Sequence, residues 1–301
     1  MLRPLLDSAR VSNLPTIWTN VLVGCSLARS GDSIAHDLSR SLAMLASASL
    51  FYVGGMWLND AVDAGWDRAH GKDRPIPAGR ISRRAVSAAA ILALALGFIA
   101  AIGVHPSARE VWLVSGILLA AIVLYNLLHK RSAWCVLLMG ACRALVYPLA
   151  ASISLAGFAV SPSFPQGLTG PYELTWPASV ALFAYIALLT LAARREDIAG
   201  ARVGGLWAWI MPIPIFLAAF VLRPDHFFGT FVVTVGFLWW TIECSFRAHD
   251  GKIPRAVSGW LAGICLADAT LLMFMDRLDL AAIAVACWLL TLVGQRTISG
   301  T

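Results

Sequence analysis

NDAVDAGWDRAHGKDRPIPAGRIS, residues 59–82, follows an apolar run that is long enough to cross a bilayer. At helical spacing Asn59, Asp63 and Asp67 lie at i, i+4 and i+8 on one face, and Asp60 joins this face from the side. Three carboxylates at membrane depth cost free energy unless cations lie between them. An oxygen-only ligand set of this kind suits Mg²⁺, so the stretch indicates a metal site.

Basic residues come directly after this acidic face. Lys72, Arg74 and Arg80 lie in a segment whose prolines and glycine favour a loop rather than a continued helix. Mg²⁺ that bridges carboxylates to phosphate, with basic side chains to balance the remaining charge, forms a site for a diphosphate. The stretch is therefore interpreted as a metal–diphosphate site. The alternative is a helix end whose solvated acids lie beside positively charged loop residues.

The composition excludes a soluble domain. Hydrophobic residues make up 59% of the chain and charged residues 13%, and apolar runs of spanning length recur throughout. We predict one all-α membrane domain over residues 1–301, a bundle of nine to ten transmembrane helices whose last member is short enough to be interfacial. The predicted spans are 14–30, 41–59, 84–104, 111–128, 133–158, 177–193, 204–222, 226–246, 257–275 and 279–294. The six cysteines are scattered without paired spacing, so neither a disulfide framework nor a zinc site is expected.

The distribution of charge predicts the partners and the orientation. The formal net charge is +6, but the positive residues are spread over short loops, which favours anionic lipid headgroups and diphosphates over nucleic acid. With the amino terminus in the cytoplasm, seventeen of the 23 lysines and arginines fall on the cytoplasmic side and five on the opposite side. By the positive-inside rule, this bias places residues 59–82 at the cytoplasmic face.

The full pattern of the stretch is more specific than an acidic helix end. The order Asn-Asp-x-x-Asp-x-x-x-Asp from Asn59, followed by Lys-x-Arg-Pro-x-x-x-Gly-x-Ile-Ser from Lys72, resembles the first signature of the UbiA superfamily of intramembrane prenyltransferases. The resemblance implies a UbiA-like helical bundle. It extends over nearly the whole chain by the order of the spans, whereas its specific motifs cover about a tenth of the residues.

Two further segments are similar to elements of that family. Asn-Leu-Pro-Thr-x-Trp-x-Asn-Val-Leu-x-Gly in the first span resembles the family's first helix, which implies that Asn20 faces the substrate chamber. Tyr125 and Lys130 match a Tyr-x-x-x-x-Lys element, which implies that Lys130 binds diphosphate, and His129 is interpreted as an interfacial neighbour rather than a base. Without the family, Asn20 is explained by a helix–helix hydrogen bond and Tyr125 by an interfacial position before stop-transfer charges.

The second signature of the family is degenerate in this chain. At the end of the sixth span the family carries two or three aspartates at helical spacing, whereas this sequence has only the adjacent Glu196 and Asp197. Adjacent residues do not share a helix face, and the position one turn after Asp197 is Ala201. The resemblance therefore implies a second metal site that is weakened, or rebuilt around one acid and neighbouring arginines such as Arg195.

Arg143 lies inside the fifth predicted span. An arginine within a span is costly and normally faces the bundle interior or a water-filled cavity. Arg143 is expected to pair with an internal carboxylate, for which Glu243 and Asp268 are candidates, or to reach the anionic substrate, and the two roles are compatible. The small residues Gly140 and Ala144 beside it are expected to let neighbouring helices approach closely.

The resemblance implies a Mg²⁺-dependent prenyltransferase that moves a prenyl group from an isoprenoid diphosphate to an aromatic or other lipophilic acceptor within the membrane. The implied Mg²⁺ ligands, of which the aspartates are also the implied catalytic residues, are Asn59, Asp60, Asp63, Asp67 and Asp197. The implied substrate-binding residues are Asn20, Asn59, Lys72, Arg74, Tyr125, Lys130, Arg143, Arg195 and Glu196.

Two other interpretations remain open. One is a non-catalytic or transport-associated member of the superfamily, because the weak second signature and the Gly-x-x-Arg-Ala-Leu setting of Arg143 resemble an EboC-like subgroup linked with handling a secondary metabolite. The other is a secondary transporter that uses intramembrane acids for proton coupling. A transporter is expected to have broken helices at the bilayer midplane and inverted repeats, whereas these acids cluster at one cytoplasmic face, which disfavours it.

Overall fold

The computed structural model describes residues 2–28, 38–155, 173–196, 198, 200–222 and 227–298, and these residues form helices and connecting turns without a strand. The helices in chain order are α1 (Leu2–Ser8), α2 (Leu14–Ala28), α3 (Leu38–Ala69), α4 (Arg83–Val104), α5 (Arg109–Leu128), α6 (Cys135–Ala144), α7 (Val146–Leu155), α8 (Thr175–Ala193), α9 (Trp207–Ile210), α10 (Ile213–Leu222), α11 (Phe227–His249), α12 (Ile253–Phe274) and α13 (Leu278–Gly294). A 3₁₀ turn, Val11–Asn13, joins α1 to α2.

Seven helical segments in the described part of the chain are long and apolar enough to cross a membrane. These segments are Arg40–Ala69, Arg83–Val104, Arg109–Leu128, Cys135–Leu155, Thr175–Ala193, Gly229–His249 and Ile253–Phe274. The helices α2, α10 and α13 are also apolar but have 15, 10 and 17 residues. The predicted all-α membrane bundle is therefore confirmed, with three of its predicted spans represented by shorter helices.

Prolines explain where the predicted spans are interrupted. The fifth span divides into α6 and α7 at Leu145, because Pro148 has no N–H to donate to the carbonyl of Ala144 one turn earlier. The seventh span contains only the short helices α9 and α10, which are separated at Pro212, and Pro214 occupies the first turn of α10, where a missing N–H is tolerated.

The helices pack around two large apolar cores that share α2, and a third, small core joins the end of α3 to the following loop and the start of α4. One core lies among α2, α3, α4, α5 and α7, and the other lies among α8, α10, α11, α12 and α13 with the opposite side of α2. Close helix contacts depend on small residues: a Cβ atom on Gly24 would lie 2.5 Å from the carbonyl oxygen of Tyr147, and one on Gly140 would lie 2.9 Å from that of Phe183. The predicted role of Gly140 in close packing is confirmed.

Large apolar side chains cover the outside of the bundle. Ile91 and Leu92 on α4 are 65% and 60% exposed, and Phe220 on α10 is 83% exposed. Exposed apolar surface on this scale requires a nonpolar solvent, which the hydrocarbon of a bilayer provides. The surface and the spans together describe a multi-pass integral membrane protein.

Candidate active site

The acidic side chains lie at the carboxyl-terminal end of α3. This helix has 32 residues and is roughly 48 Å long, so it extends beyond a hydrocarbon core of about 30 Å. Asn59, Asp60, Asp63 and Asp67 are only 7%, 5%, 3% and 1% exposed. The shared face predicted from the spacing is therefore turned into the protein, where each carboxylate needs a partner. We call Asp60, Asp63 and Asp67 the acidic cluster.

Arg74 supplies a cation to all three carboxylates. Its Nη1 atom lies 3.5 Å from Asp60 Oδ1, 3.8 Å from Asp63 Oδ2 and 3.0 Å from Asp67 Oδ2. The loop after α3 turns back to make this contact, and Gly71, between α3 and Arg74, allows the turn because its φ angle of 63° is in the left-handed region. In this structure a guanidinium therefore lies between the carboxylates, in the space where the sequence predicts Mg²⁺.

The end of α5 adds two basic side chains to Asp63. The Nε2 atom of His129 lies 3.0 Å from Asp63 Oδ1, and the Nζ atom of Lys130 lies 3.4 Å from Asp63 Oδ2. Lys130 also lies over the ring of Trp66, 3.8 Å from its centroid, and His129 stacks on Tyr125 at 5.1 Å. This contact between His129 and Asp63 is not predicted by the sequence, in which His129 is interpreted as an interfacial neighbour. The available signal was the i, i+4 spacing of Tyr125 and His129, which puts both rings on one face.

The amino-terminal segment closes the other side of the acidic cluster. The hydroxyl of Ser8 donates a 2.8 Å hydrogen bond to Asp60 Oδ2, and Nη2 of Arg10 lies 4.0 Å from Asp60 Oδ1. Neither residue was predicted for the site, because nothing in the local sequence connects the start of the chain to α3.

The donor atoms of the acidic cluster fit Mg²⁺, although they do not surround one point. Within the described residues, no three His, Cys, Asp or Glu side chains are grouped closely enough to hold a metal ion, because Arg74 fills the space between the aspartates. The Oδ1 atoms of Asp60 and Asp67 are buried and accept no hydrogen bond. Such hard oxygen donors suit an ion that completes its coordination with water and phosphate oxygens.

An apolar chamber of about 290 Å³ opens beside the acidic cluster. Arg10, Arg74 and Tyr125 line its polar end, and aliphatic and aromatic side chains from α2, α3, α5, α7 and α8 form its walls. The space therefore combines a charged end with a lining that suits a hydrocarbon chain.

Two other predicted residues have different positions relative to this chamber. Arg143 lines it and is 8% exposed, in agreement with a cavity-facing arginine. Asn20 does not belong to the lining, because its amide donates a 2.8 Å hydrogen bond to Asp268 Oδ2. The expectation that Asn20 faces the chamber is therefore replaced by the helix–helix hydrogen bond.

Glu243 is no partner for Arg143, because it pairs with Arg247 at 3.1 Å on α11.

The degenerate second signature, Glu196 and Asp197, is called the second acidic element, and only part of it reaches the site. Glu196 lines the chamber. Arg195 is exposed, and its Nη1 donates to the carbonyl oxygen of Arg202 at 3.5 Å, so the structure does not bring it to the chamber. Lys72 is half-buried in the loop after α3 and is not part of the lining. Asp197 lies outside the described residues.

The fold and the site together define a multi-pass membrane protein in which a carboxylate–cation cluster opens onto an apolar chamber. A sequence model of the UbiA prenyltransferase family matches residues 17–256, and the chain belongs to this family. It is therefore a transferase of alkyl or aryl groups other than methyl, and the family resemblance noted from its motifs is confirmed.

Individual relatives share either sequence or fold with this chain. The chain is 29% identical over 239 residues to digeranylgeranylglyceryl phosphate synthase of Methanoregula boonei, a match that covers 78% of this chain and 74% of the relative. A UbiA homologue from Aeropyrum pernix K1 has a similar fold, with a TM-score of 0.61, 17% identity, and coverage of 87% of this chain and 96% of that chain. A UbiA homologue from Archaeoglobus fulgidus, solved with GPP and Mg²⁺ bound, has a TM-score of 0.58, 14% identity, and coverage of 91% and 99%.

Proposed function

We propose that this protein catalyses the Mg²⁺-dependent transfer of a prenyl group from an isoprenoid diphosphate to an aromatic or other lipophilic acceptor within the membrane. The observation that carries the proposal is the buried acidic cluster with Arg74 in its centre, next to an apolar chamber of about 290 Å³. The diphosphate binds at the cluster, and the prenyl chain lies in the chamber. GPP and Mg²⁺ in the Archaeoglobus fulgidus homologue support this choice of substrate.

Asn59, Asp60, Asp63 and Asp67 would hold Mg²⁺, with Asp197 as a further ligand from the second signature. When bound, Mg²⁺ supplies positive charge that stabilises the negative charge developing on the leaving diphosphate. Arg74 and Lys130, which now neutralise the carboxylates, turn to the phosphate oxygens when substrate arrives. Lys72, in the same loop as Arg74, adds positive charge at the edge of the site.

The allylic C–O bond breaks heterolytically, and the diphosphate leaves with the electron pair. The acceptor then donates an electron pair to the allylic carbon, and the proton that it releases passes to water or a carboxylate. The apolar walls exclude water from the carbocation, and the rings of Tyr52 and Tyr125, which line the chamber, stabilise its positive charge. The bias of basic residues supports a cytoplasmic side for this chemistry.

A second candidate is a member of the family that binds a lipophile without transferring a prenyl group, as in the EboC-like interpretation. The observation that favours it is the second acidic element, in which Glu196 reaches the chamber, Arg195 is turned away and position 201 is alanine. This candidate predicts a chamber that binds lipophiles independently of Mg²⁺.

The deciding experiment is equilibrium binding of geranylgeranyl diphosphate to the purified protein in nanodiscs, with Mg²⁺ or with EDTA. We expect Mg²⁺-dependent binding that falls by at least about tenfold in Asp63→Asn, because this carboxylate lies at the centre of the cluster. Asp279→Asn is the matched control, since Asp279 pairs with Arg277 at the amino-terminal end of α13, outside the site. Weak binding that is equal with and without Mg²⁺, and equal in both variants, would reject the transferase.

A further inference from the structure

Lys130 reaches across from the end of α5 and contacts two side chains of α3. Its Nζ atom lies 3.4 Å from Asp63 Oδ2 and 3.8 Å from the ring centroid of Trp66. Asp63 and Trp66 are three residues apart on α3, so they are neighbours on the surface of this helix. The ammonium lies over the negative face of the indole, which is the geometry of a cation–π interaction. The lysine therefore has a carboxylate and an aromatic ring as partners at the same time.

The indole of Trp66 is held in place by the residue one turn further along the chain. The imidazole of His70 stacks on this indole, with the ring centroids 3.8 Å apart and an angle of 18° between the ring planes. The Nδ1 atom of His70 lies 2.8 Å from the backbone carbonyl oxygen of Trp66, which ties the imidazole to the end of α3. The stacking restricts the rotation of the indole, so Trp66 presents a fixed plane to the lysine.

The two partners of Lys130 differ in their affinity for a metal ion. Asp63 belongs to the acidic cluster and is a proposed ligand of Mg²⁺, so its pairing with Lys130 competes with metal binding. Trp66 does not compete, because the only polar atom of its side chain is an N–H donor. The contact between the ammonium and the indole can therefore persist when the carboxylate serves the metal. Trp66 is then the partner that keeps Lys130 at the site.

We propose that Trp66 is a positioning residue, which holds the ammonium of Lys130 beside the acidic cluster and directs it to the diphosphate of the substrate. The Lys130 side chain is 39% exposed and has a flexible four-carbon stem, so without the ring it would extend into water as readily as towards a phosphate. Trp66 does not line the chamber and acts through Lys130 rather than on the prenyl chain. This role rests on the proposed transferase function, because the diphosphate is the ligand that Lys130 binds in it.

The first test is equilibrium binding of geranylgeranyl diphosphate to the protein in nanodiscs with Mg²⁺. We expect Trp66→Leu to weaken binding by about fivefold, which is the effect of losing one cation–π interaction. In a Lys130→Met background Trp66→Leu should have no further effect, because the ring then has no cation to hold. A purely structural role would instead weaken binding by the same factor in both backgrounds. Trp112→Leu is the matched control, since Trp112 lies at the other end of α5 and its Nε1 donates to the carbonyl oxygen of Pro106.

The second test follows the lysine itself and needs neither substrate nor metal. The chain has only three lysines, Lys72, Lys130 and Lys252, so acetylation by a water-soluble reagent can be measured at each site by mass spectrometry. The ring of Trp66 covers one side of the Lys130 ammonium. We therefore expect Trp66→Leu to raise the rate of acetylation at Lys130 by about threefold relative to Lys252, and Trp112→Leu to leave this ratio unchanged.

Unchanged binding of geranylgeranyl diphosphate in Trp66→Leu, or an equal loss in the Lys130→Met background, would overturn the positioning role. Unchanged acetylation of Lys130 in Trp66→Leu would overturn the contact itself. If Trp66→Leu does not fold, tetrafluorotryptophan at position 66 replaces it, because the fluorines keep the shape of the ring and withdraw negative charge from its face. Absence of Mg²⁺-dependent binding to the unmodified protein would reject the transferase, whereas the acetylation would still decide whether Trp66 holds Lys130, so the two failures are distinguishable.

Discussion

Replacing Arg74 with methionine tests whether this arginine occupies the position of the metal. The change removes the guanidinium that contacts three nearly buried carboxylates at 3.0, 3.5 and 3.8 Å. Removing one partner of a fully buried ion pair costs about 3–5 kcal/mol. Arg74 is 30% exposed, and His129 and Lys130 remain beside Asp63, so we expect a loss of about 2–3 kcal/mol in the free energy of unfolding without Mg²⁺.

Mg²⁺ should compensate for this loss. An ion present at a hundred times its dissociation constant stabilises the folded state by about 2.7 kcal/mol, which is close to the expected destabilisation. In the unmodified protein Mg²⁺ must displace the Arg74 side chain, whereas in Arg74→Met the space is already open. The stabilisation by Mg²⁺ should therefore be larger in the variant than in the unmodified protein.

The assay is denaturant unfolding of the detergent-solubilised protein over a Mg²⁺ titration. Arg80→Met is the matched control, because Arg80 pairs with Asp73, whose side chain is 85% exposed, and the loss of such a pair changes stability by at most about 1 kcal/mol. An identical Mg²⁺ response in Arg74→Met and in the unmodified protein would refute the idea that arginine and metal share one position. An Arg74→Met variant as stable as the Arg80→Met control would refute the importance of the ion pairs.

Two further predictions concern the packing and the second acidic element. Gly24→Ala should lower the free energy of unfolding by about 1–3 kcal/mol, because its Cβ would lie 2.5 Å from the carbonyl oxygen of Tyr147. Gly116→Ala is the control, because a Cβ atom there would meet no other atom within 4 Å. Equal free energies of unfolding for the two variants would contradict the close approach. Glu196→Gln should lower kcat by about tenfold if the carboxylate that lines the chamber still serves a metal or proton transfer, and an unchanged steady-state rate would mean that the second signature no longer contributes.

The sequence by itself determined the class of fold and the main part of the site. Hydropathy identified the membrane spans, and the spacing of Asp60, Asp63 and Asp67 identified one acidic face, because the helical repeat is a local property of the chain. The charge of Arg74 could also be matched to this face from the sequence, since it lies only seven residues after Asp67. The sequence did not predict where proline interrupts a helix or which distant segments contact each other.

Only the tertiary structure decided which distant side chains complete the site. Ser8 contacts Asp60 across 52 residues, and His129 contacts Asp63 across 66. Asn20 bonds Asp268 across 248 residues, which turns it away from the chamber that its motif predicted, while Arg143 keeps a free nitrogen at the chamber wall. A sequence pattern defines the faces of each helix, but the contacts between faces depend on how all the helices pack together, and that packing is a property of the whole bundle.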